Sequence, residues 1–195
     1  MGQRIGLFGG TFDPPHMGHL AAAVTAKEVL GLDEVLLVVA NDPWQKSGQR
    51  PITDAQHRLA MTKLLVEDVD GIEASDVELL RGGESYMIDT VHDMRRRGHE
   101  ITLIVGADVA DGLETWERTD QLRKLVRLAV LDRPGYDLPT LDGWITERVA
   151  VEPKDISSSG VRDQIGEGAS IYDSLSASVR SYIDDHQLAW ESHNN

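Results

Sequence analysis

Ile5-Gly6-Leu7-Phe8-Gly9-Gly10-Thr11-Phe12-Asp13-Pro14-Pro15-His16-Met17-Gly18-His19 reads as a strand, a glycine-rich loop and the start of a helix. Ile5 to Phe8 is short and apolar, and Gly9-Gly10 ends it. Pro14-Pro15 stiffens the loop, which then delivers two histidines as the helix begins. A spacing of three puts His16 and His19 on the same side of the emerging turn. Gly18 lets a ligand approach the backbone closely. Helix N-terminal amides with imidazole donors beside them make a phosphate site that needs no positive net charge. Neither the Walker-type loop nor the spaced-glycine dinucleotide fingerprint is present. A zinc reading of the histidine pair is the weaker one, because Gly18 and the loop pattern favour phosphate.

Outward from this unit, short apolar runs alternate with helix-period segments. Gly18 to Leu30 is helical, with Leu20, Ala23, Val24, Ala26 and Leu30 near one face and Gly31 as its stop. Val35 to Ala40 is a nearly continuous apolar run, the mark of a strand covered on both faces. Thr53-Asp54-Ala55-Gln56 has capping-box spacing and predicts a helix through Leu65. Ile72 to Leu79 is more weakly strand-like. Ser85 to Arg97 predicts a helix with Ile88 and Val91 inward, closed by Gly98. Ile101 to Val105 and Leu128 to Leu131 read as further buried strands, with a helix over Thr119 to Val126 between them. Val149 to Val151 reads as the last strand. One helix follows Ser157-Ser158-Ser159 and another crosses Leu175 to His186, with Gly166 to Ser170 a turn between them. This alternation predicts an open, mostly parallel, Rossmann-like α/β sheet with helices on both faces and a small C-terminal helical extension. In such sheets ligands sit beyond the carboxyl ends of the strands, at the switch in strand order.

The chain has 195 residues, 19 basic and 33 acidic, a formal net charge of −14, and no cysteine. That length predicts a single domain over 1–195, with 156–190 as its C-terminal helical part. The missing cysteine excludes disulfides, iron–sulfur clusters, thiolate zinc sites and a cysteine nucleophile. The acidic balance argues against non-specific nucleic-acid binding, which depends on neutralising phosphates with Lys and Arg. No apolar run approaches the roughly 20 residues of a membrane span. Met1 to Phe8 has neither a basic region nor a long apolar one. The cytoplasm is the simplest expectation.

Other segments carry chemistry at strand ends and helix starts. Ile156-Ser157-Ser158-Ser159-Gly160-Val161-Arg162 opens a helix with hydroxyls and free amides, and Arg162, one turn on, adds a guanidinium fork. A capped helix with a surface arginine is the plainer reading. Gly106-Ala107-Asp108 follows a buried strand, with Trp116 eight residues later. Asp108 there suits a ribose hydroxyl or the water shell of a metal. Trp116 is either a flat platform for a ring, worth about 1–3 kcal/mol by analogy with base stacking, or a core residue.

Gly-Gly-Thr-Phe-Asp-Pro-Pro-His-x-Gly-His resembles the signature of the nucleotidylyltransferase superfamily, and within it that of the bacterial nicotinate-nucleotide adenylyltransferases. Ile156 to Arg162 resembles the superfamily's second motif, with Ser159 in place of a usual Thr. Ser85-Tyr86-Met87-Ile88-Asp89-Thr90-Val91 is similar to the family's Ser-Tyr-Thr-x-Asp-Thr-Leu, with Met87 replacing a Thr, so a contact there would run through the backbone amide. Asp89 would either brace its loop or touch a ligand. Gly106 to Trp116 is similar to its Gly-x-Asp…Trp arrangement, Arg58 and Met61 to its Arg-x-x-Met, and Arg133 to its Arg-Pro-Gly. Asn41 to Lys46 stands where the family has a Pro-His-Lys ending. Lys46 is kept, and Trp44-Gln45 replaces Pro-His.

The resemblance implies transfer of AMP from ATP to nicotinate mononucleotide, giving deamido-NAD and pyrophosphate. It implies His16 and His19 as catalytic residues on the phosphate chain. Gly9, Gly10, Thr11, Phe12, Ser157, Ser158 and Arg162 would bind ATP. Lys46, Tyr86, Met87, Asp108, Trp116, Glu117 and Arg133 would bind the mononucleotide. Mg²⁺ would be carried on the ATP phosphates and no metal site would be built from side chains. A homo-oligomer is left open. The rivals are pantetheine-phosphate adenylyltransferase (which usually has Thr where His16 stands), nicotinamide-nucleotide adenylyltransferase, and a non-catalytic nucleotide sensor on the same fold.

Overall fold

The computed structural model describes residues 2–43, 51–132, 141–152, 156–167 and 174–190. Strands β1 (Arg4–Gly10), β2 (Glu34–Val39), β3 (Ile72–Ser75), β4 (Glu100–Gly106), β5 (Arg127–Leu131) and β6 (Thr146–Val149) form one sheet. Its order is β3-β2-β1-β4-β5-β6, with every adjacent pair parallel. The chain builds outward from β1 to β3, then returns to lay β4 along the other edge of β1. That reversal puts the switch point between the carboxyl ends of β1 and β4, at Gly9-Gly10 on one side and Gly106-Ala107-Asp108 on the other.

Side-chain alternation along each strand divides the core between two faces. Val35, Leu37 and Val39 join one cluster with Ala23, Ala26, Met61 and Leu65. These come from helices α1 (Met17–Leu30) and α2 (Ala55–Val66). Ile5, Leu7, Leu103, Leu128 and Val130 join the other with Ile88 and Val91 of α4 (Met87–Arg96) and Leu122 of α6 (Thr119–Leu125). Burial on both faces explains why these strands read as unbroken apolar runs. Each fully buried Leu or Val there contributes about 1.5–3 kcal/mol of burial. Helices α7 (Ser158–Gly166) and α8 (Ala177–Asp185) add Val161, Val179 and Ile183 to the first cluster, so the C-terminal part packs on the α1–α2 face.

The parallel sheet with helices on both faces is as the sequence predicts, and Gly31 closes α1 with a left-handed φ of 59°. Three local expectations are corrected. The cap of α2 is Asp54, whose carboxylate accepts from the Gln56 N–H at 2.8 Å, because Thr53 instead directs its amide toward Asp13. The run Ile72 to Leu79 splits after Ser75, and α3 (Val77–Arg81) follows. The last strand begins at Thr146 and ends at Val149. It is an edge strand in which Val149 alone is buried, so the apolar signal misses most of it. Two short elements went unread, α5 (Ala107–Ala110) and a single 3₁₀ turn over Leu113–Thr115.

Candidate active site

The loop leaving β1 is almost wholly enclosed. Thr11 is 8%, Phe12 2%, Asp13 1% and His16 5% exposed. Phe12 takes a left-handed φ of 51°, unusual for an aromatic residue, and its ring meets the edge of His19 at 4.9 Å. With that ring in the core, any contact from Phe12 to ATP would come from its backbone. His16 is the N-cap of α1, and its ring stacks on His19 with centroids 3.6 Å apart. His19 Nδ1 accepts the His16 amide hydrogen at 3.2 Å. That bond requires an unprotonated Nδ1, so neutral His19 carries its proton on Nε2, as a donor. At Gly18 a Cβ would lie 3.0 Å from His16 Nδ1. The missing side chain makes room for the His16 ring.

Two neighbours hold the loop from opposite sides. Arg58 of α2, 1% exposed, donates from Nη1 to the Thr11 carbonyl at 2.8 Å. It also donates to the carbonyls of Thr53 at 2.8 Å and Asn41 at 3.2 Å. One guanidinium thus links the exits of β1 and β2 to the lead-in of α2. On the other side, Ser158 Oγ donates to the Pro14 carbonyl at 3.0 Å and Arg162 Nη1 to the Asp13 carbonyl at 2.8 Å. Ser157 caps α7, accepting from the Gly160 N–H at 3.1 Å. Ser158 and Arg162 do meet the loop, through bonds to its backbone, whereas the hydroxyl of Ser157 serves the cap of α7.

Across Gly9-Gly10-Thr11 lies an open cleft. Tyr86, Met87, Trp116 and Glu117 line its far side. Met87 opens α4, so the N-terminus of that helix lies at the cleft, with the Asp89 N–H turned back to the Tyr86 carbonyl at 3.0 Å. Its methyl group comes within 2.5 Å of where a Cβ on Gly9 would stand, which ties the glycine to the helix. Trp116 is half-buried, packed on the cluster that contains Leu113 while also lining the cleft. Asp89 braces, as one of its two sequence readings had it. It pairs with Arg118 at 2.8 Å and joins α4 to the Trp116–Glu117 segment. Asp108 is exposed in the first turn of α5, with its carboxylate folded back toward Gly106. Lys46 and Arg133 lie outside the described residues, as does Trp44.

Sequence reasoning missed Glu78. This residue lines the cleft at 4% exposure and accepts from Thr90 Oγ1 at 2.9 Å. Arg81 also reaches that hydroxyl, at 3.2 Å. Burial pushes the Glu78 carboxyl above its ordinary value of 4.5, while hydrogen bonds from Ser85 and Thr90 and the nearby Arg81 pull the other way. A carboxyl raised by folding contributes most to stability below its unfolded value, and the contribution is lost as pH rises through the folded one. The melting temperature of wild type minus that of Glu78→Gln should therefore fall as pH rises from about 4 toward 8. Parallel thermal melts check this, and a difference that grows with pH would contradict it.

The comparisons with known proteins agree with this geometry. Residues 7–164 match the family model described as cytidylyltransferase-like. A protein of Gemmatimonas aurantiaca named "probable nicotinate-nucleotide adenylyltransferase" is 40% identical over 191 residues, covering 93% of this chain and 90% of its own. One of the same name from Thermus thermophilus is 40% identical over 188 residues, covering 95% and 99%. Plasmodium falciparum nicotinic acid mononucleotide adenylyltransferase, solved with NaAD, superposes with a TM-score of 0.80 over 95% of this chain and 97% of that one. At 16% identity, that match speaks for the fold. The chain belongs to the cytidylyltransferase-like family and, within it, to the nicotinate-nucleotide adenylyltransferases.

Proposed function

We propose that the protein transfers AMP from ATP to the 5′-phosphate of nicotinate mononucleotide, giving deamido-NAD and pyrophosphate in NAD biosynthesis. The carrying observation is the pairing, across Gly9 to Thr11, of an imidazole-bearing loop with a cleft that has Trp116 and the start of α4 on its far side. The mononucleotide phosphate is already ionised near neutral pH, the second pKa of a phosphate monoester being about 6. It attacks the α-phosphorus in line, the bond to the bridging oxygen breaks, and pyrophosphate leaves with that electron pair. No side-chain nucleophile is needed. The protein contributes positioning and stabilisation of charge on the phosphates.

His16 and His19 are assigned to the phosphate chain, with the Nε2–H of His19 toward the bridging and leaving oxygens. Gly9, Gly10, Thr11 and the backbone of Phe12 flank ATP. Ser157, Ser158 and Arg162 approach the β and γ phosphates from the start of α7, and Ser158 and Arg162 also hold the loop that carries the histidines. Trp116 stacks on the pyridine with Tyr86 beside it, the backbone amides near Met87 and Glu117 donate to its carboxylate, and Asp108 faces the ribose. Lys46 keeps a phosphate-side role, and Arg133 a mononucleotide-binding one, by resemblance alone.

Nucleotidyltransferases of this family use a divalent cation with the nucleotide, and here we take it to be Mg²⁺. Among the described residues no three His, Cys, Asp or Glu side chains cluster closely enough to hold an ion. We take the cation to be held through phosphate oxygens and water, with Asp108 offering a carboxylate to its water shell. When bound, the cation would neutralise phosphate charge. The chain is taken to act as one domain over 1–195 in the cytoplasm. No helix of the described residues is long and apolar enough to cross a membrane.

The acid should be preferred to the amide. A nicotinate carboxylate needs donors alone, whereas a carboxamide also needs an acceptor. The N-terminus of α4 favours an anion, by about 0.3–1 kcal/mol from the helix dipole. Pyrophosphate release from ATP, measured in parallel with nicotinate mononucleotide, nicotinamide mononucleotide and phosphopantetheine, tests this. The expected result is the highest kcat/KM with the nicotinate form. Equal values for the two pyridine nucleotides would overturn the acid assignment, and turnover with phosphopantetheine alone would overturn the whole reading.

A further inference from the structure

The C-terminal chain returns to the phosphate loop. α8 ends at Asp185 with His186 as its cap, Gln187 adopts a left-handed φ of 52°, and the Leu188 N–H bonds back to the Ile183 carbonyl at 3.0 Å. This reversal lays Leu188 and Trp190 against the core cluster that contains Phe12. Trp190 Nε1–H donates to Asp13 Oδ1 at 3.1 Å, across 177 positions of sequence. Asp13 is 1% exposed, and a carboxylate so buried depends on the donors around it. Its Oδ2 faces the Thr53 N–H at 3.5 Å, and its carbonyl takes the Arg162 bond. At the other end of the same segment, the Met17 N–H donates to the Ser174 carbonyl at 2.9 Å, just ahead of α8. The stretch from Asp13 to Met17 is held at both ends by the C-terminal chain, and His16 lies within it.

We propose that Trp190 is a positioning residue for adenylyl transfer, acting through Asp13 to set the loop that presents His16 and His19. The indole N–H can only donate, so it suits an ionised carboxylate. A hydrogen bond to a charged acceptor is about twice as strong as a neutral one. The kinetic part of the proposal rests on the adenylyltransferase reading, and the structural part does not.

Trp190→Phe keeps an aromatic ring against the core and removes the donor. A small misplacement of catalytic groups is costly, so kcat should fall about tenfold. KM for nicotinate mononucleotide should stay within about twofold, because its cleft is lined by other elements. Amide hydrogen exchange over Thr11 to Gly18 should quicken while exchange in α6 does not. Asp13→Asn weakens the same bond from the loop side with the indole in place. It should reproduce both the loss in kcat and the faster loop exchange, which keeps the proposal open to test if the Phe variant folds poorly. Unchanged loop exchange in the variants, or kcat within twofold of wild type, overturns the positioning role. A wild type that does not turn over nicotinate mononucleotide overturns the functional reading instead, and loop exchange then decides for Trp190.

Discussion

His19→Ala is expected to lower kcat and kcat/KM together by about 10²–10³, the usual cost of one preorganised donor aimed at transition-state charge. The geometry gives the reason. The His16 amide occupies Nδ1 of His19, which leaves Nε2–H as the donating edge, while Phe12 and His16 pack against the ring and limit its rotation. Charge builds on the leaving pyrophosphate only as the α-phosphorus bond breaks, so this donor should hold the transition state better than ground-state ATP. KM for ATP should stay nearly constant, the pattern expected when an interaction is made only in the transition state. Losing the local bond to the His16 amide should cost no more than a lost helix cap, about 1 kcal/mol, so the variant should stay folded. Steady-state kinetics on protein with a near-wild-type melt decide the matter. A kcat within a few-fold of wild type, or a change confined to KM for ATP, would mean that His19 merely helps to bind ATP.

The strand–loop–histidine unit was legible because it is local. Its glycines, prolines and histidines are consecutive in the chain, and its consequences unfold within one strand end and one helix turn. The parallel order followed from apolar runs too continuous for one-sided strands, such as Val35 to Ala40. What stayed hidden depends on contacts made far along the chain. Arg58 matched a family pattern, yet nothing in its neighbourhood reveals that it reaches carbonyls at Thr11 and Asn41. Glu78 fell inside a run read as strand, and its burial became visible only once α3 turned it into the cleft. Ser158 and Arg162 show the same limit from the other side. Their chemistry as phosphate donors was readable, but their bonds to the Pro14 and Asp13 carbonyls were not. A donor's type is written in sequence, whereas its acceptor is a product of the fold.

Arg58→Met should be the most destabilising single change considered, by roughly 3–5 kcal/mol. Methionine fills much of the same volume, so cavity formation is a minor part of the effect. The larger part comes from the carbonyls of Thr11, Thr53 and Asn41, which lose donors at 2.8, 2.8 and 3.2 Å. The Thr11 bond is buried and the other two are part-buried; a buried group left unsatisfied costs about 1–3 kcal/mol, and a part-buried one less. Removing a buried charge returns part of that sum, because the guanidinium no longer has to be desolvated. Marginal stability makes the remainder large against a typical total of about 5–15 kcal/mol. At about 2–4 °C per kcal/mol for a chain of this size, the melting temperature should drop by about 6–20 °C. Arg58→Lys separates charge from geometry. A single ammonium cannot span three carbonyls in the planar fork of a guanidinium, so it should recover only part of the loss. If the Met variant melts within about 2 °C of wild type, the three bonds contribute little net stability and the junction of β1, β2 and α2 is held by packing. If the Lys variant matches wild type, charge rather than the fork is what the junction requires.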